Sequence, residues 1–353
     1  MRLEQLTFTR FIAAMAIVVF HFGSGVYPFN IPELQFIVHQ AHLGVSYFFI
    51  LSGFIMVVAY GSYKKIDTAV FLKNRLARIY PLLLLSVVLL FLHTYFFDPA
   101  FRFGIIKDAV LNLSLLQAWI PSKVLLFNGP AWSLSVEFFF YLVFPFLYNL
   151  LFSRKKLWIN AMAIVLFWII FQTVFFYLVN SPFNEGYPSP NHALLFYTPF
   201  MHLSAFLAGN LGGLFFIKKL SGKTRNYDVA VLLCVAVLLL LLKYPTGMNY
   251  HNGLMAFVVI PFILFMALNN GLITRLFNIP VLVFLGEISF GIYILQVPIF
   301  RLTQSVVMQL NITHEPQLLF YISSVVLIVF SALSYLFFET PLRNRIKNIK
   351  MKF

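Results

Sequence analysis

Residues 157–179 read LWINAMAIVLFWIIFQTVFFYLV and carry no Asp, Glu, Lys or Arg. An α-helix rises about 1.5 Å per residue, so a stretch of this length crosses a hydrocarbon core about 30 Å thick. Moving outward in both directions, runs of the same character fall at 8–27, 43–60, 80–97, 131–152, 194–217, 229–242, 252–268, 281–308 and 318–338. The whole chain agrees with them. It is 61% hydrophobic and 10% charged, against about 45–50% and about 25% in soluble domains, and its mean hydropathy is +0.89. The expected fold class is therefore all-α, a polytopic transmembrane helical bundle of about ten spans. Residues 1–353 are read as a single integral membrane domain with no fused extracytoplasmic domain, because no linker or low-complexity block interrupts them. The first span is too long, and too charged internally, to be a cleaved signal peptide.

The excess of 25 Lys+Arg over 11 Asp+Glu gives a formal net charge of +14. Such a balance suits nucleic acid, but here the basic residues sit in short clusters between apolar runs, which points to a membrane and its lipid rather than to nucleic acid. Cytoplasmic loops carry the Lys/Arg excess in membrane proteins. One set of loops holds Arg2, then Lys64, Lys65, Lys73, Arg75 and Arg78, then Arg154, Lys155 and Lys156, then Lys218, Lys219, Lys223 and Arg225, then Arg275, and finally Arg343, Arg345, Lys347, Lys350 and Lys352. The alternate loops hold only Arg102, Lys107, Lys123 and Lys243. This alternation predicts an even number of spans with both termini cytoplasmic. The apolar stretch 111–120 is too short to cross and is read as a re-entrant or interfacial element. Cys234 is the single cysteine, which excludes an intramolecular disulfide and a cysteine metal cluster.

Polar groups inside the spans carry the functional information, because a charge near the bilayer centre costs at least about 2.5–3.5 kcal/mol. Arg10 and His21 in the first span are separated by close to three helical turns, roughly 16 Å, which puts them on one helix face. Their structural alternative is an arginine reaching the headgroups and a histidine bonded between helices. Ser133 and Glu137 share a face at the start of the fourth span. Glu137 either pairs with a buried arginine or orients His21. Arg75 and Arg78, read as lying between the second and third spans, suit phosphate groups or anionic lipid. Ser52 and Gly53 allow close helix approach. Glu287, Gln296 and Arg301 either line a cavity or brace the bundle. The remaining histidines lack the spacing of a helical zinc site, so no metal is expected. Phosphate-loop, dinucleotide and nucleophile-elbow patterns do not occur.

Together these residues resemble the acyltransferase-3 family of integral membrane acyltransferases, many of which O-acetylate bacterial cell-surface glycans. Arg10 and His21 fit its Arg-x10-His pattern, residues 48–53 its Phe-Phe-x-x-Ser-Gly type segment, and residues 75–81 its Arg-x-x-Arg followed by an aromatic and Pro. Trp132 to Glu137 fits Trp-Ser-Leu-Ser-x-Glu, and Glu339 to Arg343 fits Glu-x-Pro-x-Arg. The chain departs from the family at Gln296, which stands where a histidine is usual and cannot exchange protons at neutral pH.

The resemblance implies acetyl-CoA as donor substrate, with no permanently bound cofactor, and a surface glycan or lipid-linked glycan as acceptor in the bacterial cytoplasmic (inner) membrane. It implies Arg75 and Arg78 as the CoA phosphate ligands and His21 as the base that activates the acceptor hydroxyl. Arg10 then assists CoA or stabilises developing charge, Glu137 orients the site, and Ser52, Trp132, Ser133 and Gln296 line the substrate path. A covalent acetyl-His21 intermediate fits equally well. The rival functions are a transporter or exporter of a polysaccharide unit or small molecule, and an assembly subunit.

Overall fold

The structure is a computed structural model that describes residues 3–97, 104–244 and 246–349. Arg2, Arg102, Lys350 and Lys352 of the charge pattern lie outside the described residues. Helices dominate, and the only β-type pairing among the described residues is an isolated bridge between Arg225 and Asn269. The chain is a multi-pass helical bundle. In order the helices are α1 (Gln5–Val18), α2 (Pro32–Val38), α3 (Leu43–Tyr60), α4 (Thr68–Phe97), α5 (Gly104–Leu113), α6 (Trp132–Leu147), α7 (Leu157–Val179) and α8 (Pro190–Tyr197). They continue as α9 (Leu203–Phe215), α10 (Asp228–Lys243), α11 (Ala256–Leu268), α12 (Leu272–Phe277), α13 (Pro280–Glu287), α14 (Ser289–Gln309), α15 (Pro316–Ser334) and α16 (Thr340–Asn348). Helices α1, α6, α9 and α15 run on into π-helical turns at Val19–Gly23, Tyr148–Phe152, Phe216–Leu220 and Tyr335–Glu339.

Every apolar run read from the sequence is helical. Among the described residues eight helical stretches are long and apolar enough to cross a bilayer. The runs at 229–242 and 252–268 form the shorter helices α10, of 16 residues, and α11, of 13. Two of the differences from the sequence reading bear on the site. Helix α4 has 30 residues and starts at Thr68, so Arg75 and Arg78 ride on the spanning helix itself and not on a connecting loop. The run at 281–308 is broken at Ile288, where α13 ends and α14 begins.

The 111–120 stretch does not span. Tyr80 Oη donates to the carbonyl of Leu113, and Tyr80 lies roughly 25 Å along α4 from Phe97. Helix α5 therefore runs back alongside α4, and short 3₁₀ turns lead from it to α6. Irregular backbone at membrane depth needs internal hydrogen-bond partners, and buried amides supply them. Asn112 Nδ2 donates to Leu126 O, Gln117 Nε2 to Ala131 O, and Asn128 Nδ2 to both Ser86 Oγ and Ile294 O.

The tightest helix crossing is between α3 and α9, where small residues bring the backbones together as they do in membrane bundles generally. A Cβ at Gly53 would collide with the carbonyl oxygen of Phe206, and one at Gly209 with that of Ile50. Because α3 forms one wall of the cavity described below, this crossing fixes the cavity's shape. Gly209→Val is expected to destabilise the protein by about 3 kcal/mol, since the obstructing atoms are backbone and cannot rotate away. Gly104→Ala, which faces open space, is the control. Thermal unfolding in detergent reads both, and equal midpoints for the two variants would contradict the crossing.

Candidate functional site

Helices α1, α3, α4, α6 and α14 converge around a cavity of about 120 Å³. Its wall on α3 runs from Met56 to Val45, roughly 16 Å of helix. Arg75, Arg78 and Tyr141 stand at one end, Arg10, Ser52 and Glu137 along its length, and Phe48, Phe49, Ser133 and Tyr293 beyond them. The sequence scattered these groups over nearly three hundred residues, and helix packing collects them. Of the predicted site residues, Arg10, Ser52, Arg75, Arg78, Ser133 and Glu137 share this one cavity.

Charge is the defining property of the lining. It holds three guanidinium groups, Arg10, Arg75 and Arg78, against a single carboxylate, Glu137. Arg75 is caged by aromatic rings, its Cζ lying 5.5 Å from the centre of Tyr60, 5.2 Å from Phe71 and 5.7 Å from Tyr141. Such cation–π contacts hold a guanidinium in a poorly hydrated site without neutralising it. Its Nε is buried with no hydrogen-bond partner. Glu137 is oriented by Tyr141 Oη, which donates to Oε1 at 2.6 Å, and by Ser52 Oγ at 3.5 Å. Arg10 interacts electrostatically with Arg78, Glu137 and Glu339. Ser133 Oγ and Tyr293 Oη bond each other at 2.8 Å, and both reach the carbonyl of Pro130.

Tyr141 and Tyr293 are site residues that the sequence reading does not single out. Tyr141 sits one turn after Glu137 on the same face, so the i, i+4 rule contained its signal. Tyr293 comes from α14, and nothing local in the sequence ties it to Ser133. Glu339 was seen only as part of a motif. It is 3% exposed, pairs with Arg343 Nη1 at 3.5 Å, and keeps Oε2 buried without a partner.

Other predicted residues lie elsewhere. Gln296 is fully buried behind the lining, with Nε2 donating to the carbonyl of Tyr293 at 2.6 Å. Trp132 packs behind Phe49, on Tyr197 and His202, with ring centres 5.0 and 5.1 Å away. Arg301 is exposed, and Glu287 accepts from Tyr335 Oη. His21 does not line the cavity. It sits in the π-helical turn after α1, past the end of the wall at Val45, and is exposed there. The turn locally interrupts the α-helical spacing that put Arg10 and His21 on one face.

His21 belongs instead to an aromatic and histidine column. The ring of Phe20 lies 5.2 Å from His21 and 5.4 Å from His42. His42 stacks on His251 at 5.5 Å, and His251 meets His202 at 5.4 Å. His202 packs on Phe49, the other side of which faces the cavity. Burial pushes His42 below its ordinary range and takes His251 down to about 3. Among the described residues no group of three or more His, Cys, Asp and Glu has the arrangement of a metal site.

Comparison with known proteins matches residues 3–337 to a family model described as an acyltransferase domain. The acyltransferase MdmB of Streptomyces mycarofaciens is 34% identical over 172 residues, covering 46% of this chain and 44% of that protein. The O-acetyltransferase OatA of Staphylococcus aureus is 25% identical over 328 residues, covering 86% of this chain and 53% of that protein. The peptidoglycan O-acetyltransferase OatA of Listeria monocytogenes is 23% identical over 363 residues, covering 95% and 54% respectively. The chain thus spans about half the length of these curated relatives. No solved structure matches it.

A cavity with an excess of guanidinium charge predicts binding of polyanions irrespective of any reaction. Pyrophosphate is expected to raise the thermal midpoint of the detergent-solubilised protein, and the double variant Arg75→Ala, Arg78→Ala to abolish the rise. An equal rise in both proteins would show that the anion binds elsewhere.

Proposed function

Because the chain belongs to the acyltransferase family whose model it matches over residues 3–337, we propose that it moves acetyl from cytoplasmic acetyl-CoA to a hydroxyl of a bacterial surface polysaccharide or its lipid-linked precursor. One observation carries the reading. A cavity with three guanidinium groups and one carboxylate stops about one helical turn short of the level at which His42 joins His21 around Phe20. The basic end, on the side of the Lys/Arg-rich loops, suits phosphates. The largely apolar remainder, with Phe48, Phe49, Leu51 and Ile55 among its lining, suits the pantetheine arm.

In this reading Arg75 and Arg78 hold the CoA phosphates at the cytoplasmic mouth, and Arg10 carries positive charge further in. The nucleotide end stays at that mouth, beside Arg75 and Arg78. The arm then runs along α3, and the distance from Arg10 to His21, roughly 16 Å along the helix axis, is the scale of its reach. The acceptor approaches from the outer side, where His21 is exposed.

A hydroxyl is a weak nucleophile until a base takes its proton, and neutral imidazole does so near pH 7. The acceptor oxygen attacks the thioester carbonyl carbon, the C–S bond breaks, and His21 passes the proton to the departing thiolate. Glu137, held by Tyr141 and Ser52, balances part of the arginine charge and keeps Arg10 directed into the cavity. The names of the two OatA relatives, one of them a peptidoglycan O-acetyltransferase, support acetyl as the group and a wall or surface glycan as the acceptor. The bacterial cytoplasmic membrane follows, since it alone separates acetyl-CoA from such glycans.

Membranes containing the protein are expected to transfer labelled acetyl from acetyl-CoA to added acceptor glycan. His21→Ala is expected to lose about 100-fold or more of that rate, the scale of a removed general base, while inserting to the same level. Undiminished transfer by the variant would overturn the role of His21. Glycan uptake into vesicles without acetyl incorporation would replace transfer by transport.

A further inference from the structure

The outer mouth carries another imidazole beside His21. His42 immediately precedes α3. The ring of Phe20 lies against both side chains, 5.2 Å from His21 and 5.4 Å from His42, and the two imidazoles interact electrostatically.

The protons of the neighbouring histidines follow from their partners. A carbonyl oxygen only accepts, so His42 Nδ1, 3.2 Å from His39 O, carries a hydrogen. In the neutral ring Nε2 then bears the lone pair. Asn252 Nδ2 donates to Leu195 O, which turns Asn252 Oδ1 toward His251 and makes His251 Nδ1 a donor at 2.5 Å. His202 Nε2 donates to Phe196 O at 3.0 Å, leaving Nδ1 buried and unpartnered. His202 is fully buried, and His251 is 6% exposed, where desolvation disfavours its charged form.

His42 differs from them. It is only partly buried, and its bond to the His39 carbonyl favours its charged form, offsetting part of the burial that holds it below its ordinary range. The groups facing it are His21 from the turn after α1, His251 from the loop before α11, and His39 from its own turn, with His192 and His202 behind His251.

We propose that His42 is a positioning residue for His21, holding positive charge beside it at the outer mouth in acid so that His21 stays neutral and able to accept a proton. This rests on the reading of His21 as the base. A like charge nearby disfavours protonation, so His42 in its charged form delays the loss of base as pH falls. The pair titrates as a unit rather than as two independent groups. Remove the ionisable ring and His21 protonates at a higher pH. Replace it by a permanent cation and His21 protonates at a lower one.

The test is the pH profile of acetyl transfer from pH 5 to 8, each variant normalised to its own maximum. His42→Phe keeps a ring against Phe20 and His251 and is expected to raise the pH of half-maximal rate by about half a unit or more. His42→Lys is expected to lower it, because a charge effect reverses sign while a packing effect does not. His42→Gln serves if either variant fails to insert and is expected to behave like His42→Phe. Acid limbs coincident with that of the parent, while His21→Ala is inactive, would overturn this proposal alone. Full activity of His21→Ala would overturn the underlying reading instead.

Discussion

Three guanidinium groups, Arg10, Arg75 and Arg78, sit within a membrane bundle around a cavity whose lining supplies one carboxylate. Arginine is costly at such depth unless something compensates it, and here compensation is deliberately partial. Rings of Tyr60, Phe71 and Tyr141 surround Arg75, stabilising the cation while leaving its charge in place. Glu137 and Glu339 interact with Arg10, but Glu339 is also engaged by Arg343. The residual positive charge is what an anionic ligand would complete, and the proposed acyl donor, built on a nucleotide diphosphate, would supply it.

The rest of the fold holds that arrangement open. The α3–α9 crossing at Gly53 and Gly209 brings backbones close enough that one face of α3 is committed to packing, leaving the opposite face to line the cavity. The break between α13 and α14 places Ser289 and Tyr293 toward the same space, with the neighbouring Gly286 pressed against the backbone of Thr7. The re-entrant element returns the chain to membrane depth, so that α6 begins inside the bundle with Ser133 and Glu137 in its first two turns. Its buried amides make that start tolerable by bonding carbonyls that would otherwise be stranded.

Much of this was legible in the residue order. The apolar runs specified helices because hydrocarbon leaves backbone groups only intrahelical partners. Arg10, Glu137, Ser133 and Ser52 stood out because polarity in a span is expensive. The start of α4 was misplaced because charge near Arg75 and Arg78 reads as the end of a span. The aromatic cage that lets the helix continue there is assembled from three helices and has no linear signature. His21 was placed on the face of Arg10 by ideal helical spacing, and the π-helical turn at Val19–Gly23 alters that spacing. The histidine column was invisible for a related reason. His42, His202 and His251 come from distant segments and meet only through the packing of α3, α9 and the loop before α11.

A cryo-electron-microscopy map of the protein in nanodiscs with CoA bound is the most direct measurement. Diphosphate density is expected within hydrogen-bond reach of Arg75 and Arg78, with the pantetheine arm running along α3 and its thiol directed toward His21. Density for CoA outside this cavity, or an arm directed away from His21, would contradict this placement.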